Sequence, residues 1–275
     1  MGFLARLSKI RYSFIIPVKD QIGYTRDCLL SWFAHASQYR HESEILIVDD
    51  GSNDKTKAFL SKLPSPIRVI TNPENLGYAK SNNRAAAEAR GDYLILLNND
   101  LVLQRGWFES MHAVAASSLC KRVVGNVQIS RITGAVDHAG KFFDDGGDLR
   151  HFGQFYQELF PWNPPLDFAE FPSVTAACWM VEKSVFDSLG GFDEGYVNGF
   201  EDDDFCLRAS EAGCRIGVAL RSWVYHYVST SSGRKDYEDK NRERFLKKWG
   251  QQALEWNRQH FEPTLKTLKS WSYQH

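Results

Sequence analysis

Apolar residues in the first hundred positions come as short runs separated by polar stretches of helical spacing. Residues 13–18 (SFIIPV) form a compact β-forming run closed by Pro17 and a polar cluster. Residues 24–33 repeat apolar positions along one helical face. Residues 44–48 (EILIV) give a second buried-strand pattern, which runs straight into Asp49-Asp50-Gly51-Ser52-Asn53-Asp54. A short helix over 55–63 stops at Pro64, and residues 67–70 make a third strand. An Ala-rich helix over 78–90 is stopped by Gly91. Residues 93–97 (YLILL) make a fourth strand ending in Asn98-Asn99-Asp100. Short β-rich runs alternating with helices predict parallel strands covered by helices on both faces.

The pattern then changes. Residues 134–172 are crowded with Gly, Pro, Asp and aromatics without a period, which predicts a long loop with hairpins over a pocket. A strand follows at 176–181, then a short helix at 183–189 closed by Gly190-Gly191. Residues 202–212 read as a helix with Phe205, Ala209 and Ala212 on one stripe and Gly213 as its cap. Strands are expected at 215–220 and 223–227. A long basic amphipathic helix over 236–261 is broken by Pro263. No internal repeat or low-complexity segment is visible.

Composition narrows the class. A chain of 275 residues makes one large domain or two small ones, and 43% hydrophobic with 24% charged residues is globular. The 33 basic and 34 acidic side chains leave a formal charge of -1, which argues against broad nucleic-acid binding. Five cysteines, an odd number with no CxxC, speak against a disulfide framework or zinc ribbon and favour a reducing, cytoplasmic compartment. No apolar run approaches the ~18–20 residues that span a bilayer, and the first residues carry no cleavage signature.

In a doubly wound sheet, ligands bind beyond the carboxyl ends of the strands. Asp49-Asp50, Asn98-Asn99-Asp100 and His226 fall at such ends, and Glu201-Asp202-Asp203-Asp204 opens a helix. Each cluster has a structural alternative. The first is an Asx-turn with a helix cap, the histidine a satisfied core residue, and the acids partners of a helix dipole. Four consecutive acids repel one another, which weighs against the last. No GxGxxG, Walker loop, GxSxG or HExxH is present.

Taken in order, FIIPV, VDDGSNDKT (48–56), NLGYAKSNNRAAAEARGDYLILLNND (75–100), GGFDEGYVNGFEDDDFCLRASEAG (190–213) and VYHY (224–227) resemble the family 2 glycosyltransferases. The similarity is strongest to the bacterial rhamnosyl- and galactofuranosyl-transferase branch and covers roughly residues 12–233. It implies the A-type glycosyltransferase fold, an α/β architecture with a Rossmann-like, mostly parallel sheet flanked by helices. A catalytic domain over 1–233 would bind the nucleotide sugar with residues 12–100 and hold the acceptor and base within 101–233, with a helical extension over 234–275.

By the same resemblance, Asp50 accepts the uracil or thymine N3–H, and the backbone of Pro17, Val18 and Lys19 lines the base. Asn83 lies near the nucleotide. Asn98-Asn99-Asp100 stands where the family carries its DxD motif, with Asp100 binding Mg2+ or Mn2+ and His226 completing the metal shell. The two asparagines leave the motif short of charge, although their carbonyls still suit a hard cation. Asp202 is the catalytic base, and Trp179 walls the acceptor side. Helical geometry agrees on Asp202, three residues before the stripe residue Phe205, and leaves Glu201 ahead of the helix to bond an acceptor hydroxyl. Asp204 is placed to pair with Arg208.

The implied activity is inverting, metal-dependent transfer from a UDP- or dTDP-sugar to a saccharide or lipid-linked saccharide, for a cell-surface polysaccharide or glycolipid. The basic C-terminal helix offers peripheral contact with the cytoplasmic face of a membrane, or packing on the enzyme's own body. Two alternatives stand beside this. One is a sugar-nucleotide-binding protein of the same fold without activity. The other is a sugar-1-phosphate nucleotidyltransferase, which wants a Gly- and Arg-rich loop that residues 18–23 (VKDQIG) do not supply.

Overall fold

The computed structural model describes residues 9–117, 120–159, 163–227 and 237–272. Its first half follows the alternating pattern: β1 (Tyr12–Val18), α1 (Ile22–His35), β2 (Ser43–Asp50), α2 (Asp54–Leu60), β3 (Ile67–Asn72), α3 (Tyr78–Glu88) and β4 (Tyr93–Leu97). These strands are parallel in the spatial order β4-β1-β2-β3. Every residue of β2 is buried, as a strand covered on both faces requires. Alternate side chains feed two cores. Phe14, Ile16, Ile45 and Ile47 pack with Leu29 and Trp32 of α1, while Ile15, Leu46 and Val48 join Ala79, Ala85 and Ala86 of α3.

The second half extends the sheet with mixed pairing. It contains β5 (Leu101–Leu103), α4 (Trp107–Ala116), β6 (Arg122–Ser130), β7 (Val136–His138), β8 (Lys141–Phe143), β9 (Leu149–His151), α5 (Phe152–Phe155), β10 (Phe168–Glu170), β11 (Cys178–Glu182), α6 (Lys183–Ser188), α7 (Glu201–Glu211) and β12 (Arg215–His226). β11 runs antiparallel between β4 and β6, and β6 is parallel to β12. β10 pairs with the outer edge of β12. The aperiodic stretch does hold a hairpin, β8 with β9.

Several expectations need correction. The strands expected at 215–220 and 223–227 are one strand, bent where its register against β6 shifts between Ala219 and Trp223. The sequence pattern predicts no element over residues 101–133, where α4 buries Trp107, Phe108, Met111 and Val114 on one stripe and β6 buries the polar Asn126 and Gln128 among its apolar residues. α3 ends when Ala89 turns extended, not at a left-handed Gly91. Gly91 serves close approach instead, since a Cβ there would sit 2.7 Å from the Ser13 nitrogen. Ala212 is exposed and lies off the buried stripe of α7.

The C-terminal helix is also not continuous. α8 (Glu238–Trp249) ends before α9 (Ala253–Trp256), and a π-helical turn (Asn257–Phe261) leads into α10 (Glu262–Ser272). Pro263 breaks nothing, because it occupies the first turn of α10, where a missing N–H is tolerated. Of the apolar positions along this segment, Phe245, Trp249, Ala253 and Trp256 are buried with Phe143, Tyr196 and Leu207, Leu268 is buried in the main core, and Leu246, Leu265 and Trp271 are half-buried. The buried members of this stripe pack on the protein's own body, the second of the two readings given for the helix. The expected boundary at 233/234 lies outside the described residues. Among the described residues no helix is long and apolar enough to cross a membrane.

One buried anion fastens this segment to α7. Asp204 is fully buried and accepts from Arg208 Nε at 2.7 Å, Lys248 Nζ at 2.6 Å and Trp249 Nε1 at 2.9 Å. Asp204→Ala would leave these donors without their common acceptor. Breaking a buried pair from one side costs about 3–5 kcal/mol, so urea unfolding should shift by that amount. Limited proteolysis should also reach α8 more easily. Unchanged stability would mean that the pairing contributes nothing net.

Candidate active site

The parallel strands bring their carboxyl ends to one edge, with Val18 opposite Asp49 and β4 alongside β1. β11 runs the other way, so the residues before its start meet that edge. The Asn98 amide donates to the Ala177 carbonyl at 2.8 Å, and the Ala176 amide donates to Asp202 Oδ2 at 3.1 Å. β12 ends there too: the Tyr227 amide donates to the Asp100 carbonyl at 3.1 Å. The sheet thus draws Asp50, Asp100, His226 and Asp202 to a common edge from positions far apart in sequence.

On the β1–β2 side, Val18 is buried, its carbonyl accepts from Ser52 Oγ at 3.3 Å, and Lys19 Nζ donates to the Gly51 carbonyl. Asp49 makes the Asx-turn, accepting from the Ser52 amide at 2.9 Å, while Asn53 caps α2. Asp50 points elsewhere. Its Oδ1 accepts from Asn72 Nδ2 and the Leu76 amide, both at 2.8 Å, and its Oδ2 from the Gly77 amide at 3.0 Å. A carboxylate has about four acceptor positions, so Asp50 ties the loop before α3 to the sheet and keeps one position for a ligand.

Asp100 and His226 are buried neighbours, with His226 Nε2 3.2 Å from Asp100 Oδ1. Among the described residues the buried His226 Nδ1 has no hydrogen-bond partner. Asn99 Nδ2 donates to Thr25 Oγ1 at 3.0 Å, which turns its carbonyl oxygen away from α1. Among the described residues no group of three or more His, Cys, Asp and Glu could form an all-protein cage. Mg2+ and Mn2+ held beside a diphosphate need only one or two protein ligands, with phosphate and water supplying the rest. The adjacent carboxylate and imidazole fit a cation of that kind.

The four acids that open α7 are all buried, and they divide among separate partners. Glu201 Oε2 accepts from the Gly199 amide at 2.6 Å; burial, then the Asp202 charge, pushes its carboxyl up. Asp202 Oδ1 accepts from the Asp203 amide at 2.9 Å, and its Oδ2 lies 3.4 Å from Lys141 Nζ. Asp203 Oδ1 accepts from Lys141 Nζ at 2.8 Å and from Ser173 Oγ at 2.5 Å. Burial and Asp202 push the Asp203 carboxyl up, and Lys141 opposes them. Asp204 faces away, into its pairs with Arg208 and α8. The loop ahead of α7 is pinned from outside, because Asn241 of α8 bonds Val197 and Gly199, and Asn198 Oδ1 accepts from the Tyr78 amide.

Two expected residues lie elsewhere. Trp179 is fully buried, stacked on Phe192 with centroids 5.5 Å apart and edge-on to Phe205, so it is core and walls no pocket. Its strand is covered on both faces, which a lone Trp in sequence does not reveal. Asn83 spends its amide on Phe192 and Glu194: Nδ2 donates to both at 3.0 Å, and Oδ1 accepts from the Phe192 amide at 2.9 Å. It straps α3 to the turn after α6.

Sequence reasoning passed over Lys141 and His138. Lys141 interrupts the apolar run Ala139–Phe143 yet is buried with it, a charge in a strand with no solvent face. His138 is buried, with Nε2 accepting from the Gly140 and Thr175 amides at 3.3 and 3.4 Å and Nδ1 3.0 Å from His151 Nδ1. Burial, followed by the nearby His151, Lys141 and His226, holds its pKa well below the usual histidine range.

The comparisons with known proteins agree with this scaffold. Residues 13–190 match the family described as glycosyl transferase family 2. The O-antigen biosynthesis protein RfbC of Myxococcus xanthus is 30% identical over 230 residues, 80% of this chain and 18% of that protein. The N-acetylglucosaminyl-diphospho-decaprenol L-rhamnosyltransferase of Mycobacterium tuberculosis is 27% identical over 69% of this chain and 68% of its own length. Among solved structures, GalNAc-T7 with UDP, GalNAc and Mn2+ superposes with a TM-score of 0.66 at 17% identity, over 86% of this chain and 50% of that one. The architecture is the A-type glycosyltransferase fold. The chain belongs to glycosyl transferase family 2.

Proposed function

We propose that this glycosyltransferase moves a sugar from a UDP- or dTDP-sugar to a saccharide acceptor, with inversion at the anomeric carbon and with Mg2+ or Mn2+. The observation that carries the reading is the single sheet edge that brings Asp100 and His226 together with Asp202. Asp100 and His226 would hold the cation, with Asn98 and Asn99 as neutral neighbours. A bound divalent cation neutralises charge on the departing diphosphate. Pro17, Val18, Lys19 and the last acceptor position of Asp50 would receive the base.

In the transfer step, Asp202 takes the proton of the acceptor hydroxyl as that oxygen bonds to the anomeric carbon. The bond from that carbon to the diphosphate oxygen breaks, and its electron pair leaves with the nucleotide. One base opposite the leaving group suffices for a single displacement, which inverts the centre. Glu201, beside Asp202, would bond an acceptor hydroxyl. Residues 12–100 would thus serve the donor and 101–233 the acceptor.

The Myxococcus and Mycobacterium relatives are named for O-antigen synthesis and for a diphospho-decaprenol substrate, which supports a lipid-linked saccharide acceptor in cell-surface polysaccharide synthesis. Lipid-linked chemistry and the cysteine pattern together favour the cytoplasm, at the membrane face. A melting screen of nucleotide sugars with and without Mn2+ tests the donor. A ligand at 100 times its Kd adds about 2.7 kcal/mol, so a UDP- or dTDP-sugar should raise Tm, and more so with Mn2+. Stabilisation by neither class would overturn the donor assignment.

A further inference from the structure

Lys141 is buried, and its ammonium is shared between Asp203 Oδ1 and Asp202 Oδ2. Its place is built by the backbone. Gly140 has φ +104° and lies under Phe171, whose ring a Cβ would meet at 2.4 Å. The Lys141 amide donates to the Ser173 carbonyl at 2.8 Å, and Phe143 is clamped to Asn257 through the Asn257 Oδ1 acceptor at 2.9 Å. A lysine is costly to bury unless paired, and here both partners lie on the first turn of α7.

Asp202 needs such a neighbour. Among the described residues, the titratable groups placed against it include Glu201, Asp203 and Cys206 on its own helix, Tyr78 on α3 and Lys141 on β8. Lys141 is the cation among them, and the other groups carry negative charge or none. Two carboxylates side by side in a buried site push one another toward protonation, while an opposite charge within about 4–6 Å favours the ionised form by ~1–3 pH units. A protonated Asp202 could not accept a hydroxyl proton.

We propose that Lys141 is a positioning residue that keeps Asp202 ionised and oriented, and that Asp203 restrains this effect by sharing the ammonium. The proposal rests on Asp202 being the base. Two variants move the acid limb of kcat/KM against pH in opposite directions. Lys141→Met keeps the aliphatic stem and removes the charge, so Asp202 protonates more readily and the limb moves to higher pH by about one unit or more. Asp203→Asn keeps an acceptor for Ser173 and removes a like charge, so the limb moves to lower pH.

The experiment is a pH profile of nucleotide release with acceptor present, for the full chain and both variants, together with Asp202→Asn. Opposite shifts support the proposal. An unmoved limb in both variants, or shifts of the same sign, overturns it. If Lys141→Met does not fold, the buried pair is removed together: an acid limb higher in Lys141→Met/Asp203→Asn than in Asp203→Asn alone supports the role, and an equal or lower one refutes it. Full activity of Asp202→Asn would instead overturn the assignment of the base.

Discussion

Asp202→Asn is expected to bind the nucleotide sugar as the native chain does and to transfer almost nothing. Base catalysis contributes ~10²–10⁴ in rate, and asparagine cannot take the hydroxyl proton. The structure adds a control. Asp202 Oδ2 faces the Ala176 amide and Lys141, and Oδ1 faces the Asp203 amide. An asparagine has one oxygen, so its NH2 must turn toward a donor on one side. The unsatisfied contact costs about 1–3 kcal/mol, which urea unfolding will register. Donor affinity measured calorimetrically should survive, because the lost contacts lie on the β11 and α7 side. Near-native transfer by Asp202→Asn, with Glu201→Gln inactive, would move the base by one residue. The burial that raises the Glu201 carboxyl makes it the competing candidate.

The parallel half of the fold was legible because its strands are continuous apolar runs ended by polar clusters. Each cluster lies at the carboxyl end of its strand, along the edge of the sheet where the site forms. β2 into Asp49-Asp50 and β4 into Asn98-Asn99-Asp100 follow that rule directly. The later strands were harder because their neighbours are remote. β11 pairs with β4 some eighty residues earlier, and that pairing, invisible in local periodicity, makes Trp179 core and brings Ala176 to Asp202. Asp50 and Asn83 show a related limit. The resemblance places both beside the nucleotide, yet their side chains are largely or wholly engaged by backbone amides, carbonyls and neighbouring side chains of loops that no spacing identifies. Lys141 did leave a signal, a lone charge inside an apolar run in a segment of irregular pattern. Only the α7 acids beside it explain that charge.

Asp100→Ala should abolish most transfer while leaving the fold nearly intact. Asp100 Oδ1 lies 3.2 Å from His226 Nε2, and losing a buried contact of that kind costs about 1–3 kcal/mol. The substitution's effect on a bound cation is larger, because Asn98 and Asn99 carry no charge and Asp100 is the carboxylate of the motif. Groups that merely orient a metal ligand already cost 10–100-fold in affinity when removed, so a direct ligand should cost at least ~10²-fold. Mn2+ binding in the presence of UDP, followed by the ion's paramagnetic signal, reads this without turnover. Asp100→Asn is the sharper variant, since it keeps a carbonyl beside His226 and removes only the charge. It should fall between the native chain and Asp100→Ala in Mn2+ affinity, with stability close to native. Full turnover of the native chain in excess EDTA, or unchanged Mn2+ binding in Asp100→Ala, would remove the cation from this site and leave the departing diphosphate to be neutralised by side chains alone.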